Sequence, residues 1–355
     1  MDFDFNEEEQ AIADLTAQIL RDKVTHESLR ELAAAGEHHD PVVWDLLAEA
    51  GILGAALPET HGGAGLDFLA ATAALEQIGR TAAPVPFLET IVMGAMPIAE
   101  FGTPELQTEF LERIARGWVY VTAALVPGPP VTVDADACTG VVMCVPSGLL
   151  ADVVLVPTTD GMRVIDVELA GDTMTYSEQP TTTGHPQARI ELAGTPSRRL
   201  GSASTEEVLD WLGPRVDSAI CSMLAGACQA ALKLAADYAQ ERHQFDRPIA
   251  TFQAVSQRAG DAYIDTEAVN LTSRQAAWRI SAGRPADEQV AIARWWASEA
   301  GFRVMHAATH LHGGVGVDRD YPLHRYFLMT RQLELTLGNA EEQLQRLGDL
   351  ISTRP

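Results

Sequence analysis

The chain has 355 residues, 46% of them hydrophobic and 21% charged, a globular composition long enough for two or three packed domains. Lys and Arg number 25 against 49 Asp and Glu, and the net charge of -24 repels nucleic-acid phosphates and anionic lipid headgroups, so neither nucleic acid nor membrane is an expected partner. The start, MDFDFNEEEQ, lacks the basic residues and apolar core of a signal peptide, and no uninterrupted apolar run reaches about 18 residues, so the expected location is cytoplasmic.

Over residues 5–117 apolar side chains recur at three and four, as in EEQAIADLTAQIL, PVVWDLLAEAGILG, FLAATAALEQIG and PELQTEFLERIARG, which predicts helices on short turns. One break, LPETHGGAGLD at residues 57–67, reads either as a plain loop or as backbone that approaches a neighbour or ligand closely. From Trp118 to about Leu200 the period becomes two, in VYVTAALVP, GVVMCVP, ADVVLVPT, MRVIDVELA and ARIELAG. Helical spacing returns over 205–241, 250–282 and 286–312, with two shorter segments around Gly338. Long helices on short connections run antiparallel, so a four-helix bundle is expected. The predicted fold is α+β: an N-terminal α-helical domain (1–117), a middle small β domain (118–200) and a C-terminal helical bundle (201–355). Cys138, Cys144, Cys221 and Cys228 form no CxxC pair and read as reduced core thiols.

Three places bear on chemistry. In YAQERHQFDRPIATFQAVSQ, residues 238–257, Arg242 and Arg247 flank Phe245, a set suited to a phosphorylated heterocycle; the competing reading has Arg242 compensating a helix C-terminus and Phe245 in the core. In HAATHLHGGVGVDRDYPLHRYF, residues 306–327, Gly313, Gly314 and Gly316 end a helix with backbone open to a ligand. His306 and His310 have the four-residue spacing of zinc ligands, but no Glu follows His306 and no carboxylate ligand is near, so no metal is expected. In LELTLGNAEEQLQRL, Gly338 ends one helix and Asn339 caps the next, with Glu341 and Glu342 in its first turn.

Four stretches in this order, MDFDFNEEEQAI, AGILGAALPETHGGAGLDFLAATAALEQIGR, ERHQFDRPIATFQ and HLHGGVGVDRDYP, resemble the acyl-CoA dehydrogenase family over nearly the whole chain. The resemblance implies FAD at a subunit interface, a carboxylate base that takes the α-proton of an acyl-CoA thioester, and electron transfer to an electron-transferring flavoprotein. It implies that each subunit's β domain holds the isoalloxazine while its bundle reaches the adenine-diphosphate end of the neighbour's FAD. On that basis Arg242 matches the pyrophosphate arginine, Phe245 the phenylalanine near adenine, Gln253 the glutamine of an FQ pair, and Gly313 and Gly314 the paired glycines. His310 stands where glutamine is usual, and Asp246 replaces a glycine.

The residues expected around the flavin ring are absent. ALVPGPPVTVDADACTGVVMCVPSG lacks both the TEP-and-GSD and the tryptophan-isoleucine-threonine stretches, and Cys144-Val145-Pro146 stands where the second belongs. Leu337 occupies the usual position of the catalytic glutamate and cannot take a proton. The family's other base position falls at Val216, beside Asp217, and a one-residue shift turns a helical side chain by about 100°. The resemblance therefore implies a non-catalytic subunit, with no catalytic residue of its own, that completes the FAD site of a catalytic partner in an α2β2 heterotetramer. It is similar in this to shortened subunits of actinobacterial enzymes acting on steroid-CoA esters. The alternatives are a self-sufficient homo-oligomeric dehydrogenase with Asp217 as base, and a non-enzymatic or metal-binding scaffold using His306 and His310.

Overall fold

The computed structural model describes residues 3–353; Met1, Asp2, Arg354 and Pro355, at the limits of the first and third regions drawn from the sequence, lie outside the described residues. The first helices are α1 (Glu7–Lys23), α2 (His26–Ala34), α3 (Pro41–Glu49), α4 (Phe68–Thr81), α5 (Met96–Phe101) and α6 (Pro104–Ala115). Each of α1, α2, α3 and α6 begins on a side chain that accepts a backbone N–H. At α1 the box is reciprocal: the Asn6 side chain accepts from Glu9 N at 2.9 Å, and Asn6 N donates back to the Glu9 carboxylate at 2.8 Å.

The middle of the chain carries β1 (Val121–Ala123), β2 (Thr132–Asp134), β3 (Ala137–Val145), β4 (Val153–Thr158), β5 (Gly161–Asp166), the short helix α7 (Val167–Ala170), β6 (Met174–Gln179), β7 (Gln187–Pro196) and β8 (Arg198–Arg199). They form two four-stranded sheets, ordered β1-β4-β5-β8 and β2-β3-β7-β6. Among the described residues β1 and β4 are the one pair of these strands that runs parallel. Val154, Val156, Ile165, Ile190 and Leu192 belong to the core of this region. Three details depart from the periodicity reading. MRVIDVELA does not stay extended, because Asp166 accepts from the N–H groups of Glu168 and Leu169 and starts α7. β2 and β6 were not expected, since their mostly exposed residues show no apolar alternation.

Five helices follow: α8 (Thr205–Glu241), α9 (Gln253–Ser281), α10 (Asp287–His312), α11 (Leu323–Leu335) and α12 (Ala340–Ser352), with a small hairpin of β9 (His243–Gln244) and β10 (Arg247–Pro248) before α9. Their core is rich in alanine, including Ala227, Ala231, Ala235, Ala307 and Ala308, so the backbones approach closely. By length and composition α8 resembles a membrane span, but 61% of its apolar window is buried inside the protein, which makes it a core helix. The architecture is that expected: a helical N-terminal part, a small β part and a C-terminal helical bundle.

By contacts the chain divides into two compact units, one holding residues up to Ala35, Thr72–Ala83 and Asp217 onward, the other Gly36–Ala71 and Pro84–Val216. The first thus combines α1, α2 and most of α4 with the bundle. A glycine pair explains how α4 lies against α8: a Cβ at Gly79 would come within 2.0 Å of Met223 O, and one at Gly226 within 1.9 Å of Glu76 O. The glycine-rich break at residues 57–67 belongs to the second unit and folds upon itself. A Cβ on Gly63 would sit 2.1 Å from Leu57 O, so the close approach there is to the chain's own backbone.

Candidate functional site

Within the first unit, the end of α8 and the end of α10 line one cleft of about 570 Å³, together with Gln244, Ile249, Val315 and Asp318. Tyr238 and Arg242 come from α8 and the residue that follows it; His310, Leu311 and His312 come from α10, and Gly313 and Gly314 from the turn beyond. Four of the six residues expected at the adenine-diphosphate end of FAD, Arg242, His310, Gly313 and Gly314, are therefore brought together. Arg242 donates its backbone N–H to Tyr238 O at 2.8 Å, while its exposed guanidinium forms no hydrogen bond or ion pair among the described residues. Gly313 needs its glycine for a φ of +61°, yet a Cβ at either Gly313 or Gly314 would meet no atom within 4 Å. The backbone at this turn faces open space beside a free cation, an arrangement that suits a phosphate or diphosphate group.

Phe245 and Gln253 do not line this cleft. Phe245 is 86% exposed at a φ of +53° and touches Phe252 edge-on, with ring centroids 6.1 Å apart, so the core reading for it is excluded. Gln253 is exposed at the first position of α9. Arg247 also lies apart from the cleft, its guanidinium 4.4 Å above the Phe252 ring. His306 packs its ring on Phe302 and Phe327, at 4.2 and 5.1 Å, whereas His310 lines the cleft. Among the described residues no group of three or more His, Cys, Asp or Glu is placed to hold a metal ion.

The turn between α11 and α12 is built differently from its sequence reading. Asn339 caps α12 through a reciprocal box with Glu342, as expected. The left-handed backbone, however, is shared by Leu337 (φ +59°) and Gly338 (φ +114°). Arg294, completely buried in α10, donates to the carbonyls of Leu333 and Gly338, each at 3.2 Å, and of Thr336. Its Nε–H donates to Asp217 Oδ1 at 3.1 Å, and Arg346 Nη1 donates to Asp217 Oδ2, also at 3.1 Å. Asp217 is only 4% exposed; burial pushes its carboxyl above the usual carboxylate range, against the pull of both arginines. One buried network thus holds the Leu337 turn in place.

In the second unit, Cys144 (φ +52°) and Ser147 (φ +51°) are left-handed non-glycine residues flanking Val145-Pro146. The segment is tied down by Cys144 N donating to the Gln179 side chain at 2.7 Å and Thr122 Oγ1 donating to Pro146 O at 2.6 Å. Glu89 shares a side-chain hydrogen bond with Ser147 and lies in a π-helical stretch, Leu88–Ala95. Burial raises its carboxyl from 4.5 to about 7, opposed by its backbone bond and by Ser147. The folded state then keeps a proton that the unfolded chain loses near pH 4.5, so stability falls between pH 4.5 and 7 and the full cost is present above 7. Glu89→Gln is expected to match the wild type near pH 4 and to be more stable by about 2–3 kcal/mol at pH 8, measured as urea midpoints.

The chain belongs to the acyl-CoA dehydrogenase family, oxidoreductases that act on acyl-CoA and typically bind FAD. The family model for the acyl-CoA dehydrogenase N-terminal domain matches residues 6–118, and the one for the C-terminal domain matches residues 218–351. The chain is 39% identical to the acyl-CoA dehydrogenase FadE27 of Mycobacterium tuberculosis, with 100% of both chains covered. It superposes with a TM-score of 0.93 on a chain of the ChsE4-ChsE5 complex from the same organism, at 38% identity and complete coverage of both. A chain of the Tcur3481-Tcur3483 steroid ACAD gives a TM-score of 0.90 at 38% identity, covering 98% of each.

Proposed function

We propose that this chain is the non-catalytic subunit of a heteromeric acyl-CoA dehydrogenase, and that its bundle completes the FAD site of a catalytic partner subunit. One contrast carries the reading. The cleft offers an unengaged Arg242 beside the open Gly313-Gly314 backbone, while the turn that holds the family's base presents Leu337. The other carboxylate near a base position, Asp217, has both oxygens committed to arginines and is not free to accept a substrate proton.

In this reading Arg242 pairs with the diphosphate, Gly313 and Gly314 let the backbone approach it, and His310 supplies a hydrogen bond at the rim. Phe245 and Gln253, both exposed and away from the cleft, contact the partner-held cofactor at its adenine side. The bound flavin supplies two-electron oxidation of the acyl chain. The likeness to a chain of the ChsE4-ChsE5 complex supports a partner subunit, which we take to be arranged as α2β2, and the likeness to a chain of a steroid ACAD supports a steroid-type substrate, which we take to be a CoA ester. Electrons leave to an electron-transferring flavoprotein, and the complex works in the cytoplasm, with the four cysteines of this chain free.

In the complex formed by co-expression with a full-length family member that carries the catalytic glutamate, Arg242→Ala is expected to weaken FAD retention by roughly 1.5–3 kcal/mol, the worth of a charge-assisted contact. Assembly should be preserved, because the guanidinium has no partner among the described residues of its own chain. Flavin content equal to wild type after gel filtration would return Arg242 to a helix-end role.

A further inference from the structure

We propose that His312, buried, and Tyr321, half-buried, form a positioning pair that helps set the Gly313-Gly314 backbone for the phosphate-bearing ligand of the cleft. This rests on the function proposed above and adds residues that neither the motifs nor the resemblance singled out.

His312 is the last residue of α10 and is 3% exposed. Its Nδ1 lies 2.8 Å from Ala308 O, which can only accept, so Nδ1 carries the proton. In the neutral ring Nε2 is then an acceptor, and Tyr321 O–H donates to it at 3.0 Å. Burial pushes this imidazole below its ordinary pKa, against the pull of the Ala308 bond, and so favours the neutral form. Each ring nitrogen therefore has one partner, and the ring has one orientation.

That orientation joins three pieces of the cleft. The His312 ring stacks on Tyr238, with centroids 4.6 Å apart and planes at 27°, and Tyr238 stands on α8 one turn before Arg242, the residue that follows the helix. Tyr321 closes the other side, 4.9 Å from the same ring, at the end of the turn that contributes Asp318. Behind the turn Gly316 folds back on α10, where a Cβ would come within 2.7 Å of Thr309 O and 3.0 Å of His312 Cβ. Gly313 donates its N–H to His310 O and opens the 3-10 turn Gly313–Val317, while a Cβ at Gly313 or Gly314 would meet no atom within 4 Å. These two peptides are held by the backbone bonds of that turn and by what flanks them, the locked His312 ring and the packed Gly316. A ligand that accepts hydrogen bonds from backbone N–H groups gains from such preorganisation, because less ordering remains to be done on binding.

The test uses the co-expressed complex and reads the FAD dissociation constant beside the unfolding midpoint of the flavin-free complex. His312→Phe keeps an aromatic ring on Tyr238 but removes both hydrogen bonds; Tyr321→Phe removes a single oxygen. Each should weaken FAD binding about tenfold, and the double variant should be no worse than either alone, since the two act as one unit. His312→Gln offers an N–H to Ala308 O and an acceptor to Tyr321, and should recover most of the affinity. The midpoint of the flavin-free Tyr321→Phe complex should stay near wild type.

Unchanged FAD affinity in Tyr321→Phe overturns the positioning role, and so does failure of His312→Gln to recover affinity. Should His312→Phe not fold, Tyr321→Phe decides alone. Arg242→Ala separates this proposal from its parent. Flavin lost there but kept in Tyr321→Phe sinks the positioning pair only, whereas flavin kept in Arg242→Ala sinks the cleft reading and the pair with it.

Discussion

Replacing Asp217 with alanine destabilises the protein by about 3–5 kcal/mol, a large share of the stability of a typical domain. The reason is what the substitution leaves behind. Arg294 is completely buried, and without the carboxylate its charge keeps carbonyl oxygens and the longer-range pull of Glu334 but loses its ion-pair partner. Asp217→Asn keeps the shape and one acceptor, and should cost less than alanine while still loosening the Leu337 turn. Urea unfolding of the co-purified complex checks both. Turnover per assembled complex should remain within about threefold for Asp217→Asn, because less than roughly 0.7 kcal/mol of transition-state stabilisation is involved. Loss of a true general base would instead cost on the order of 10²–10⁴ in rate. The two readouts therefore separate a structural carboxylate from a catalytic one.

Periodicity made the bundle legible: the long helices were expected at 205–241, 250–282 and 286–312, and they run Thr205–Glu241, Gln253–Ser281 and Asp287–His312. The sheets were harder. Val121–Ala123 pairs in parallel with a strand some thirty residues later, and the mostly exposed β6 has no apolar stripe to betray it. Arg242, His310, Gly313 and Gly314 were each visible in local motifs, and the fold brings them to one cleft. Arg294 was not visible. A lone arginine in RWWASEAG reads as a solvent-facing residue, and its role follows from carbonyls some forty residues away in sequence. His312 was hidden for a similar reason: HLHGG offers two histidines alike in pattern, and only packing against Tyr238 and Tyr321 distinguishes the buried one from His310 at the rim.

The central claim is that one flavin site is divided between two unlike chains, and that this chain supplies the half without the base. Its β region carries Val145-Pro146 between two left-handed residues where flavin-ring contacts were sought, and a proline has no N–H to give. A chain lacking those contacts holds flavin weakly by itself, even with Arg242 and its glycine turn intact. Flavin content and acyl-CoA oxidation should therefore be measured on the purified chain alone and on the complex with its catalytic partner. The account predicts a nearly colourless, inactive chain and an active complex with one FAD for each pair of unlike subunits. A yellow chain that carries stoichiometric FAD and oxidises an acyl-CoA without any partner would contradict it.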